Sequence, residues 1–127
     1  MKQILVVASD RRAGNLIGMH LCEIGMAVSH AANIQAGLQY VREKDVDLII
    51  VGHNLPGVDG EKACRQLRAE KILAPILILT DKVDECESIA LLEAGADDCI
   101  SKPFYVAELL AKVKAIIRRA EMYSICL

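Results

Sequence analysis

Short apolar runs alternate with longer amphipathic stretches five times along the chain. Ile4-Leu5-Val6-Val7 is aliphatic throughout and β-branched at three of four positions, the pattern of a strand buried on both faces. Asp10 is placed to cap a helix whose apolar positions Leu16, Ile17, Met19, Leu21 and Ile24 end before Gly25. Met26 to His30 reads as a weaker second strand. Asn33 then starts a helix to about Lys44, with Ile34, Leu38 and Val41 on one stripe. Leu48 to Val51 is the third strand, followed by the turn-rich Leu55-Pro56-Gly57-Val58-Asp59-Gly60 and a helix from Glu61 to about Glu70. Pro75 opens a fourth strand, Ile76 to Leu79, and Val83 to Ala94 is a helix that Gly95 ends. Cys99-Ile100 is a short fifth strand, and Tyr105 to about Arg119 is the last helix.

Five strands alternating with five helices through short connections predict an α/β fold, a doubly wound five-stranded parallel sheet with helices on both faces. In such a sheet the functional crevice lies at the carboxyl ends of the strands, near the reversal of strand order. The candidate residues are therefore Ala8, Ser9 and Asp10, then Gly52 to Asn54, then Thr80 and Asp81, then Ser101 and Lys102. Residues 1–120 read as one domain, and residues 121–127 as a tail or the start of a linker.

Composition narrows the classes. A chain of 127 residues, 54% hydrophobic and 25% charged, has room for one core and is not intrinsically disordered. Fifteen basic against 17 acidic residues (15 − 17 = −2) leave no basic excess for a nucleic-acid surface. The 3% aromatic content, without Trp, excludes a base-stacking platform. Cys22, Cys64, Cys86, Cys99 and Cys126 are scattered and lack CxxC spacing, as expected of reduced thiols packing as small hydrophobes in a cytoplasmic protein. The apolar run in MKQILVVASD is too short for a signal peptide, and no run reaches the roughly 18 apolar residues of a membrane helix.

The strand ends carry a recognisable pattern. DLIIVGHNLPGVDG (Asp47 to Gly60), PILILT (Pro75 to Thr80) and GADDCISKPF (Gly95 to Phe104), with ILVV and Asp10 before them, resemble the receiver domains of bacterial response regulators over residues 3 to about 119. That resemblance implies the flavodoxin-like, CheY-like topology. The last helix, AELLAKVKAIIRRAE, is most similar to the OmpR/PhoB-like subfamily with winged-helix DNA-binding output. In the family an acidic pair after the first strand and an Asp ending the third hold Mg²⁺, and that Asp accepts a phosphoryl group. A hydroxyl after strand four and a Lys after strand five bind the phosphoryl oxygens.

Carried onto this sequence, the resemblance gives Thr80 and Lys102 the hydroxyl and lysine positions, and Asn54 that of a carbonyl ligand to Mg²⁺. The acidic pair falls on Ala8 and Ser9, the acceptor on Gly52, and the aromatic switch position of strand five on Cys99. Gly cannot form an acyl phosphate and Ala cannot ligate a metal. Asp10 is the one carboxylate left near the metal position. The expectation is an atypical, phosphorylation-incompetent receiver (a pseudo-receiver) with no catalytic residue and no cofactor, its Mg²⁺ binding lost or very weak.

Several alternatives stand beside this. Lys102 is expected to pair with Asp10; the sharper reading is an anion site of Lys102, Thr80, Ser9 and the Gly52 amide. Asp10 could itself take phosphate. A nucleotide or flavin binder on the same fold ranks lower, because ASDRRAG has only Gly14 where a glycine-rich loop is needed. His53 reads as a loop residue facing solvent.

Ile89-Ala90-Leu91-Leu92 spans a full helical turn of apolar residues, so some cannot face the sheet. The resemblance implies a two-fold dimer face of the fourth helix, fifth strand and fifth helix. Ile89, Leu92 and Leu110 would form its centre, with Glu93, Asp98, Glu108, Lys112, Arg118 and Arg119 at the rim. Glu108 and Lys112 also sit at i,i+4, where an intrahelical pair is the plainer account. Ser88 and Lys112 depart from the subfamily's residues at two rim positions. The expected function is a signalling module in a two-component phosphorelay, acting as a homodimer or on a histidine kinase or other protein. DNA would be contacted only through an output domain outside these residues, and no membrane is expected.

Overall fold

The computed structural model describes residues 1–52, 55–81 and 89–126, with side chains to residue 122. The strands are β1 (Gln3–Val7), β2 (Ala27–Ala31), β3 (Leu48–Val51), β4 (Ile76–Thr80) and β5 (Asp98–Ser101). The helices are α1 (Arg11–Glu23), α2 (Ile34–Glu43), α3 (Gly60–Ala69), α4 (Ile89–Glu93) and α5 (Val106–Cys126). All strands are parallel, in the order β2-β1-β3-β4-β5, so the reversal of strand order falls at β1.

Continuous aliphatic strands follow from the two helical layers. Leu5, Val7, Ile49, Val51 and Ile78 face α2, α3 and α4, packing with Leu38, Leu67 and Leu91. Ile4, Val6, Ile50, Leu77 and Ile100 face α1 and α5, packing with Leu21, Leu109, Val113 and Ile116. With successive side chains alternating between two buried faces, the central strands are aliphatic up to their carboxyl ends, where Thr80 closes β4.

α1 does not bury all of its apolar positions. Leu16 and Met19 are 52% and 54% exposed, while Gly14, Gly18 and Leu21 are the buried positions. A Cβ on Gly18 would stand 3.3 Å from Cγ1 of Val28, so the glycines let α1 lie close on β2 and turn Leu16 outward. β2 is shifted by one residue from the expected Met26 to His30, because its pairing runs Gln3↔Ala27 through Val7↔Ala31. α5 continues past Arg119 through Cys126, and Lys2 forms an ion pair of 2.7 Å with Glu121 on this extension. The expected start of the fourth helix, Val83 to Ser88, lies outside the described residues.

Arg68 is a structural residue that periodicity does not reveal. Its guanidinium donates to the carbonyls of Gly95, Ile72 and Ala74 and to Asp97 Oδ2, at 2.6–3.2 Å. It ties the end of α3 to the chain entering β4 and β5. Asp97 Oδ2 also accepts from the Ile76 amide at 2.8 Å, which fixes the start of β4.

Candidate functional site at the carboxyl edge of the sheet

β1, β3, β4 and β5 bring the expected residues to one edge. Ala8, after β1, is buried, and its amide donates to the Ala31 carbonyl at 2.9 Å. Gly52, after β3, donates its amide to the Val7 carbonyl at 2.7 Å. A Cβ built on Gly52 would lie 3.3 Å from both Ala8 Cβ and the Val7 carbonyl oxygen. The two small residues therefore pack against each other where the resemblance puts an acceptor and a metal-binding acid. The same hydrogen bond engages the Gly52 amide, which the alternative anion site would have used, in the sheet.

Asp10 is turned away from this point. Its Oδ1 accepts from the amides of Arg12 at 3.0 Å and Ala13 at 3.4 Å, which caps α1. It does not pair with Lys102: among the described residues no carboxylate lies within ion-pair distance of the Lys102 ammonium. Lys102 keeps its place through its backbone, whose amide donates to the Thr80 carbonyl at 2.7 Å. Thr80 is almost fully buried at the end of β4, and both Thr80 and Ser9 have interaction partners. His53 and Asn54 lie outside the described residues.

Receiver domains use Mg²⁺, and a hydrated dication of that size requires several hard oxygen ligands. The donor set here does not fit it. Ala8 and Gly52 supply no side-chain oxygen, Ser9 is neutral, and the Asp10 carboxylate serves the helix cap. Among the described residues no group of three His, Cys, Asp or Glu could hold a metal ion.

One residue at this edge was not singled out from the sequence. His30 lies within β2, opposite Val6, and its Nε2–H donates to the Ala8 carbonyl at 3.1 Å. The ring also covers Gly14, where a Cβ would lie 2.6 Å from Nε2. Only the β1–β2 register, which residue order does not give, brings His30 to Ala8.

Cys99 corrects a second expectation. It is disulfide-bonded, so the reading of every cysteine as a reduced thiol fails for it, whereas Cys22 and Cys64 are free thiols. Burial pushes the Cys64 thiol up to about 11, the nearby Arg68 charge opposing that shift. Cys86 and the Cys126 side chain lie outside what is described.

The expected dimer face is in part an intramolecular network. Ile89 and Leu92 project outward, 72% and 62% exposed, while Leu91 between them is buried. Leu110 is partly exposed and packs against the α1–α5 side of the core. Lys112 Nζ meets both carboxylate oxygens of Asp98, at 3.3 and 3.4 Å. These two residues pair within the chain, and Lys112 reaches β5 and not Glu108. Glu93, Glu108, Arg118 and Arg119 are exposed.

A parallel 2-1-3-4-5 sheet with a hydroxyl and a lysine closing its carboxyl edge defines a receiver-type α/β domain. Residues 4–114 match the sequence profile described as "Response regulator receiver domain". The chain belongs to the receiver domain family of response regulators, the signalling domains of two-component systems. It is 40% identical over 121 residues to the alkaline phosphatase synthesis transcriptional regulatory protein PhoP of Bacillus subtilis, covering 95% of this chain and 50% of PhoP. The chain thus spans about half the length of the curated relatives it matches. Among solved structures, the Francisella response regulator 1452 receiver domain superposes with a TM-score of 0.86 at 26% identity, covering 94% of this chain and 99% of that one. Response regulator TrrA of Thermotoga maritima, solved in complex with Mg²⁺-BeF, superposes with a TM-score of 0.81 at 30% identity, covering 91% and 99%. No helix among the described residues is long and apolar enough to cross a membrane.

Proposed function

We propose that this receiver domain works without phosphorylation, as a binding module of two-component signalling held near one conformation. The observation that carries the reading is the contact of Gly52 with Ala8, which leaves neither an acceptor carboxylate nor a metal-binding acid at the head of β1 and β3. Receivers ordinarily couple acyl-phosphate formation to repacking of their output face. Here that equilibrium is set by sequence, concentration or a partner. Asp10 is a poor substitute acceptor because its carboxylate is held by the first turn of α1.

The interaction surface in this reading is the outer side of α4, with Ile89 and Leu92 at its centre and Glu93, Glu108, Arg118 and Arg119 around it. It forms a homodimer, with a histidine kinase or another signalling protein as the further partner. The similarity to PhoP supports a cytoplasmic regulator in which residues 1–120 form the receiver body, the remaining residues lead toward an output domain, and DNA is contacted only there.

Two measurements test this. In an amide NMR titration with Mg²⁺ and beryllofluoride, Gly52, Thr80 and Lys102 are expected to keep their shifts, and acetyl phosphate is expected to leave the intact mass unchanged. Saturable shifts at those amides, or a gained phosphoryl group, would return the domain to the regulated class. In equilibrium sedimentation the chain is expected to dimerise and Leu92→Glu to be monomeric; a wild-type monomer at all concentrations sinks the dimer.

A further inference from the structure

Beside the vacated edge, on the α1–α5 side of the sheet, lies an open groove of about 480 Å³. Ala13, Leu16 and Ile17 of α1 form one wall, and Phe104, Val106 and Leu109 form the other. Its size falls in the range of small-molecule sites, and so does its make-up of apolar walls with few polar groups. Leu16 and Val106, 52% and 37% exposed, keep apolar surface in water on it.

The polar groups are unevenly placed. Lys102 and Pro103 close the end at the carboxyl edge of the sheet, and His20 lies toward the other end. Ala13 and His20 are seven residues apart on α1, about 10 Å along its axis. His20 is directed to Glu23, with Nδ1 3.6 Å from its carboxylate. Lys102 has no such neighbour, and no acidic residue is among the described residues lining the groove. α1 and α5 both run away from the Lys102 end, so the positive end of the α5 dipole adds to the lysine there, while Asp10 offsets that of α1. Lys102 therefore stands at one end of an apolar channel.

From this geometry we infer that the groove binds a small amphiphilic carboxylate, its head group on the Lys102 ammonium and its apolar body along Leu16, Ile17, Phe104 and Val106. A half-buried lysine without a carboxylate is the complement of a monoanion, and an apolar tail would remove Leu16 and Val106 from water. A neutral apolar molecule would leave Lys102 unpaired, and a dianion would lack a second cation. Occupancy would also tie α1 to the β5–α5 connection. The inference shares Lys102 with the phosphorylation edge, but not the Gly52–Ala8 contact on which the phosphorylation-silent reading rests.

The test is an amide NMR titration of the 127-residue chain with decanoate, beside decanol as its neutral isostere. Saturable shifts are expected at Leu16, Ile17, Phe104 and Val106. Lys102→Met is expected to weaken decanoate about tenfold, the worth of one charge-assisted hydrogen bond, and to leave decanol unchanged. Leu16→Glu, at a half-exposed position that does not threaten the fold, is expected to abolish decanoate binding. Equal affinity of decanoate for Lys102→Met and the wild type would overturn the inference. So would shifts centred on Ile89 and Leu92 in place of the groove. Groove shifts that follow protein concentration alone would also overturn it, by showing that a second copy fills the channel.

Discussion

Asp10 shows how one carboxylate changes role with its surroundings. With a second acid beside it, it could have contributed to a metal site; with Ala8 and Ser9 before it, its local partners are the open amides of α1. Asp10→Ala is expected to lower unfolding stability by about 1 kcal/mol, read by urea denaturation, and to change no response to Mg²⁺. Cys64 gives a second prediction at this scale. Its thiol titrates near 11, above the range of an unfolded cysteine, because burial disfavours the thiolate. The neutral thiol is therefore the form the folded state prefers. Its contribution to stability is full below the unfolded pKa, near 9, and is lost as pH rises toward 11. Denaturation midpoints are expected to fall over that window in the wild type and to fall less in Cys64→Ala.

Among the elements, α4 separates packing from recognition within two residues. Leu91 is 4% exposed and Leu92 62% exposed, so their truncation should have different consequences. Leu91→Ala is expected to cost about 2–4 kcal/mol by denaturation, through lost burial and a residual cavity. Leu92→Ala is expected to leave stability within about 0.5 kcal/mol of the wild type, as for a surface position, while weakening self-association in sedimentation. The sequence showed that four consecutive apolar residues could not all face the sheet, but not which did. α1 was read less well. Of its apolar positions Leu21 is buried and Leu16 and Met19 are exposed, while Gly14 and Gly18 are buried beside Leu21. A hydrophobicity pattern scores side chains and misses a helix–strand contact made close by the lack of them.

For the molecule as a whole, the extension of α5 past Arg119 meets the N-terminal residues. The pair that joins them, Lys2–Glu121, has side chains 39% and 52% exposed, and exposed pairs contribute little. Truncation after Ala120 is expected to leave the melting temperature unchanged within error; a large drop would mean that the body of the domain continues into the extension. Residue order alone determined the strand and helix sequence, the parallel sheet, and the replacement of the acceptor and acidic pair by Gly52, Ala8 and Ser9. These follow from local propensity, two-sided burial and side-chain chemistry, all of which a chain carries in its own residues. Tertiary structure decided what depends on distances between segments remote in sequence. It turned Asp10 away from Lys102, engaged the Gly52 amide with Val7, set His30 on Ala8, joined Asp98 to Lys112, and opened a channel beside Lys102. Each is a competition among several partners for one group, and only the packed register of strands and helices selects the winner.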